Sequence, residues 1–115
     1  MQSKTADEMS DFVVDNLINY FGNKVSDFSI FNIDEEEAHK SFCVNFKAYS
    51  YFIILLSYEK GRFGCSIQVG ERAFISLENS QKWWDEADFD VFLKELQEQI
   101  ELRIPDKFLK AYGWM

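Results

Sequence analysis

The sequence predicts an α+β domain in which an N-terminal helix is followed by an antiparallel sheet of about five strands in a meander, then by one long and one short helix. Three observations lead there. Apolar residues recur at spacings of three and four near both ends of the chain, they alternate with polar residues in the middle, and the links between the alternating runs are short. Parallel pairing needs a crossover of about a dozen residues or more, so short links leave antiparallel neighbours. The centre of this scheme is the stretch from Tyr51 to Tyr58. Phe52, Ile54, Leu56 and Tyr58 fill one side of a strand while Tyr51, Ile53 and Leu55 fill the other. That predicts a central strand with cover on both faces. At 115 residues the chain makes one domain, residues 1–115, able to bury roughly two thirds of its unfolded surface.

Thr5-Ala6-Asp7-Glu8 has the form of a capping box, and it opens a helix expected from Ala6 to Phe21. Met9, Phe12, Val13, Leu17, Tyr20 and Phe21 give its apolar stripe, and Gly22-Asn23 its stop. The other side carries Asp7, Asp11 and Asp15 one turn apart, where like charges repel. The helix dipole relieves Asp7 and Asp11 but not Asp15, so the stripe is either an ordinary solvated face or a patch kept for a partner. Val25 to Ile33 forms a first strand of imperfect period. Asp34-Glu35-Glu36-Glu37 must be an exposed connection, since four carboxylates in a row are costly to dehydrate.

Phe42, Val44 and Phe46 then alternate with Cys43, Asn45 and Lys47 as a half-buried strand, and Ala48-Tyr49-Ser50 leads into the central one. Glu59-Lys60-Gly61-Arg62 reads as a hairpin turn into Phe63, Cys65, Ile67 and Val69, which alternate with Gly64, Ser66 and Gln68. Gly70-Glu71-Arg72 turns again into Ala73 to Leu77. Asp88 caps a helix whose Phe89, Phe92, Leu93, Leu96 and Ile100 form a stripe, with Leu102 and Ile104 closing it. Pro105 ends that helix and opens a short one, Asp106 to Tyr112, stopped by Gly113 with Trp114 folding back.

The hydrophobic content of 47%, with twelve Phe, five Tyr and three Trp, excludes disorder. Met1 to Thr5 lacks the basic and apolar regions of a signal peptide, and the run from Tyr51 to Leu56 is too short to span a bilayer, which predicts a cytosolic protein. Two cysteines are too few for a disulfide framework, and Cys43 and Cys65 fall on different strand faces. The net charge of −8 is unevenly spread: residues 1–40 carry nine acids and three bases, residues 41–82 three acids and five bases, residues 83–115 eight acids and four bases. Acidic flanks around a nearly neutral sheet argue against nucleic acid or an anionic membrane as partner and for a basic protein surface.

Chemistry leaves few marks. His39 is the single histidine and lacks a serine or cysteine partner at triad spacing, and its HxxxC relation to Cys43 is no metal pattern, so no catalytic residue, metal or cofactor is expected. The glycines lack the strand-loop-helix setting of a phosphate loop. Trp83-Trp84-Asp85-Glu86-Ala87-Asp88 stands out. Adjacent tryptophans point apart, so one belongs to the core and the other near the surface, and tryptophan beside carboxylates is also good interface material.

The tail from Leu102 through Ile104-Pro105-Asp106-Lys107-Phe108 to Trp114, after a Leu-rich acidic helix and a strand meander, resembles small bacterial immunity proteins of contact-dependent growth inhibition and other polymorphic toxin systems. The resemblance implies a cytosolic, non-enzymatic inhibitor that binds a cognate toxin domain stoichiometrically. From charge and expected exposure, the contact surface is Asp34, Glu35, Glu36 and Glu37 with Trp84, Asp85, Glu86 and Asp88, and the rival patch is Asp7, Asp11 and Asp15. A small acidic secretion chaperone, which would be a stable homodimer, and an enzyme or small-ligand module are the alternatives.

Overall fold

The computed structural model describes residues 5–36, 39–68, 74–76, 82–84 and 88–114. Helix α1, Ala6–Phe21, starts at the expected capping box: the Glu8 N–H donates to the Thr5 hydroxyl at 3.1 Å, and the Thr5 N–H to the Glu8 carboxylate at 2.9 Å. A short 3₁₀ turn, Gly22–Lys24, leads into β1, Val25–Asp34. Strands β2 (Ser41–Ala48), β3 (Phe52–Glu59), β4 (Arg62–Gln68) and β5 (Phe74–Ser76) follow as antiparallel neighbours in chain order. The five-stranded meander is therefore present. A two-residue strand, β6 (Lys82–Trp83), adds a pairing with the start of β4. Helices α2, Phe89–Glu101, and α3, Asp106–Ala111, complete the chain. The predicted turn from Gly70 to Arg72, with Val69, Ala73 and Leu77, lies outside the described residues.

The imperfect period of β1 has a local cause. Asp27 and Asn32 adopt φ of 58° and 55°, and the register to β2 shifts at both places, so the strand carries two irregularities that re-aim its side chains. Short polar side chains tolerate that left-handed geometry better than most.

One core holds the layers together. Met9, Val13, Leu17 and Phe21 from α1 and Phe92, Leu93, Leu96 and Ile100 from α2 meet Phe42, Val44, Phe46, Ile54, Leu56, Phe63, Cys65 and Ile67 from the sheet. Burial pushes the Cys65 thiol above its ordinary range, which makes it a packing residue rather than a nucleophile. These contacts use one face of the sheet, and this corrects the expectation for the central strand. Ile54, Leu56 and Tyr58 are buried, but Ile53 is 44% exposed and Leu55 only half-buried. Both long helices sit on the same side, so alternation along β3 separates covered from open positions even though its residues are apolar throughout. A second correction concerns Leu102: it stands in solvent while Ile104 closes the apolar stripe of α2.

The β2–β3 link, Tyr49 to Tyr51, closes on a tight turn that the sequence does not announce: the Tyr51 N–H donates to the Ala48 carbonyl at 3.0 Å. Tyr49 and Ser50 both have positive φ, 58° and 53°, as the favoured hairpin turn requires, without the usual glycine or asparagine. A tyrosine in this region costs roughly 1–2 kcal/mol. Its surroundings offset that cost. The Tyr49 ring is fully buried against Phe21 and Trp114, its N–H donates to the Lys24 carbonyl, and its hydroxyl donates to Glu101 Oε2 at 2.5 Å. Trp114 folds back as expected, and Tyr49 is what it folds onto.

Candidate functional site

Two exposed surfaces are built by this arrangement, and the first is the open face of the sheet. Its register can be followed strand by strand. Asp34, Ser41, Glu59, Arg62 and Trp83 stand in one cross-strand row at the end of the sheet where α1 begins. The next row contains Phe31, Cys43, Ser57 and Gly64, and the one after it Ser29, Asn45, Leu55, Ser66 and Ser76. Small side chains in the middle of these rows leave a shallow depression of about 370 Å³ around Ser57, Gly64, Ser66 and Ser76, bounded by Glu59 and Arg62. Cys43 Sγ lies 3.7 Å from Ser57 Oγ across the strand pair. Larger apolar groups, Phe31, Ile53 and Phe74, stand exposed around this floor. The floor is hydroxylic and nearly flat. It offers hydrogen bonds and apolar contact to a surface or an extended segment.

The second surface is the acidic end. Glu35 reaches across to the first turn of α1, where its Oε1 and Oε2 accept from the N–H groups of Ala6 at 2.6 Å and Asp7 at 3.1 Å. A carboxylate there satisfies two helix-end donors and is favoured by the helix dipole. Asp34 Oδ1 accepts from the Glu36 N–H at 2.9 Å, and Glu36 lies 3.9 Å from His39 Nδ1. The consequence is a merger: the Asp34–Glu36 patch adjoins Asp7, and Asp11 and Asp15 continue it along the exposed side of α1. Three carboxylates of the first expected patch, Asp34, Glu35 and Glu36, thus adjoin the rival stripe.

The remaining expected contact residues divide. Asp88 caps α2, its Oδ1 accepting from the N–H groups of Asp90 and Val91 at 3.0 and 3.3 Å. Glu37, Asp85 and Glu86 lie outside the described residues. Trp84, expected at the contact surface, is only 8% exposed. Its ring is ringed in turn by Phe12, Tyr58, Phe63 and Phe89, with centroids 5.6–6.0 Å away, and so belongs to the core. The exposed partner is Trp83, with the Arg62 guanidinium 5.2 Å from its ring centre. Adjacency alone gave the opposite directions of the two rings. Which one turned inward was decided by the pairing of Trp83 with Arg62 on the open face.

Two tyrosines are perturbed, both on the helical side. Burial, then the hydrogen bond to Glu101, raises Tyr49 far above its usual range, and burial followed by the charges of Glu101, Glu98 and Asp90 raises Tyr20. Both are hydroxyls held neutral by burial first and by nearby carboxylates second. No helix among the described residues is long and apolar enough to cross a membrane. No known protein family, curated protein or solved structure matches this chain.

Proposed function

We propose that the protein acts by stoichiometric binding, as an immunity protein that occludes a cognate toxin domain of the basic, nucleic-acid-cleaving kind. The observation that carries this reading is the merged acidic surface of Asp34, Glu35, Glu36, Asp7, Asp11 and Asp15 on a chain of net charge −8. A domain that cleaves nucleic acid presents a basic substrate surface, and an acidic protein of complementary charge associates with it quickly and selectively. Slow dissociation requires apolar anchors as well. Phe31 and Ile33, exposed on β1 next to Asp34, supply them in place of the buried Trp84.

The test is co-expression with the product of the neighbouring upstream gene, co-purification at low and moderate salt, and growth rescue in the same cells. A one-to-one complex that restores growth supports the reading, and Asp7→Asn/Asp11→Asn/Asp15→Asn should then slow association and flatten its salt dependence. A neighbour that is neither toxic nor bound removes the reading's main support. The open face, with Ile53 and Phe74 exposed beside a floor of hydroxyls, favours one alternative, a small acidic secretion chaperone holding an extended client. A stable homodimer in sedimentation would speak for it.

A further inference from the structure

We infer that the groove between the C-terminal end of α2 and α3 is a docking site for a lysine- or arginine-bearing apolar segment of a protein partner. The groove holds about 430 Å³ and is lined by Glu98, Glu101, Leu102, Ile104, Asp106 and Leu109. Its floor is apolar, made by the buried Ile104 and Leu109. At its rim Leu102 is 76% exposed, more than any other large hydrophobic among the described residues.

The charges around it are arranged against the interest of the helix. The last turn of α2 carries Glu98 and Glu101 and no basic side chain, although the carbonyl end of a helix is already negative and favours cations. Asp106 faces the same groove from the start of α3. Arg103, the cation nearest to Glu101 in sequence, is turned back onto Gln99, donating to its carbonyl at 2.9 Å and its side-chain oxygen at 3.0 Å, while Lys94 and Lys107, the nearest to Glu98 and Asp106, stand exposed. Among the described residues no cation is found within ion-pair distance of Glu98 or Asp106. The field reaches beyond the groove, since Glu101 and Glu98 help to raise the Tyr20 hydroxyl on the facing helix. A locally unfavourable cluster of this kind is relieved by a cation brought from outside.

The apolar floor selects which cation. A lysine or arginine can lay its aliphatic stem on Ile104 and Leu109 and set its charged head among the three carboxylates, while an apolar neighbour covers Leu102. A bare metal ion would leave the floor unused, and an acidic segment would be repelled. Glu101 bonds Tyr49 at the β2–β3 turn, whereas Asp34 pairs with Ser41 at the other end of β2. The groove therefore lies at the opposite end of β2 from Asp34, where the merged acidic surface begins, and the inference does not depend on what that surface binds.

The experiment titrates the full chain, with its methyl groups observed by NMR, with the peptide acetyl-Leu-Lys-Leu-Arg-amide and with a control in which glutamine replaces both cations. Saturable shifts centred on the methyls of Leu102, Ile104 and Leu109 are expected, at least about tenfold weaker for the control, because two charge contacts are lost. The exposed double substitution Glu98→Gln/Asp106→Asn should weaken binding at least about fivefold, while Asp7→Asn/Asp11→Asn/Asp15→Asn leaves it unchanged. Leu102→Ser tests the apolar half and should weaken both peptides together. The inference is overturned by shifts centred on Asp7 to Asp15, by unsaturable shifts spread over the acidic surface, by equal binding of the control, or by Leu102 shifts that track protein concentration and so report a second copy in the groove.

Discussion

Ile53 and Ile54 are neighbours of one residue type in one strand, yet Ile54 is fully buried and Ile53 is 44% exposed. Trp83 and Trp84 repeat the contrast across the same sheet, at 53% and 8%. In each pair the hydropathy is identical and only the face differs. What separates them is cover: α1 and α2 both pack on the side to which Ile54 and Trp84 point, so one residue of displacement along a strand moves a side chain from core to solvent. An apolar residue on the open side then reports a surface available for contact rather than a contribution to the core.

The pairs can be broken member by member. Trp84→Ala should have the largest effect, about 3–5 kcal/mol of unfolding free energy, because four aromatic neighbours lose their partner, whereas Trp83→Ala should cost no more than about 1 kcal/mol. Urea denaturation of the two variants side by side checks this, and equal losses would sink the distinction. Ile54→Ala should follow at about 2–5 kcal/mol against less than about 1 kcal/mol for Ile53→Ala, read from the same transitions. If Ile53→Ala instead proved as costly, the sheet would have to be covered on both faces in solution, as by a second copy.

The third expectation sets the buried Tyr49 against the exposed Tyr51 just beyond the turn. Unfolded Tyr49 ionises near pH 10, but in the fold its hydroxyl stays neutral to higher pH, so above that value the unfolded chain binds fewer protons and gains on the native state. Stability should be complete below about pH 10 and fall above it by up to about 1.4 kcal/mol per pH unit for each hydroxyl so held. Tyr49→Phe should remove most of that slope, leaving the part due to Tyr20, and cost about 1 kcal/mol at neutral pH, whereas Tyr51→Phe, at an exposed position, should cost less than about 0.5 kcal/mol there. Denaturation at pH 8 and 11 distinguishes them. The smallest effect is Asp88→Ala, about 1 kcal/mol for a lost helix cap only a few residues from Trp84, measured by the shift in thermal midpoint.

Much of the architecture can be read from spacing alone. The bounds of α1, the caps at Thr5 and Asp88, the Lys60-Gly61 turn and the meander order all rest on local patterns, and each is present. The open face is not local information. A strand apolar on both sides predicts cover on both, and that Ile53 is left open follows only once α1 and α2 are known to share one side. Tyr49-Ser50 escaped for a different reason: turn chemistry is usually announced by glycine, asparagine or aspartate, and here the geometry is held by contacts to Phe21, Glu101 and Trp114, all distant in sequence. Of the expected contact surface, the acids were legible because exposed carboxylates stay exposed. Trp84 was not, since the inward ring is chosen by strand register.

The turn at Tyr49 also constrains the order in which the chain can become a protein. Its hydroxyl bonds a carboxylate 52 residues further along, and Tyr20 reaches Gln97 across 77. While the chain is being synthesised, α1 and the meander emerge first, and the Phe63 side of the sheet meets its cover only when Phe89 and Phe92 have followed. A nascent chain that stops short of α2 therefore presents bare apolar sheet together with a turn tyrosine whose strain nothing yet offsets. Such a chain keeps that surface bare until the residues from Phe89 to Trp114 have followed.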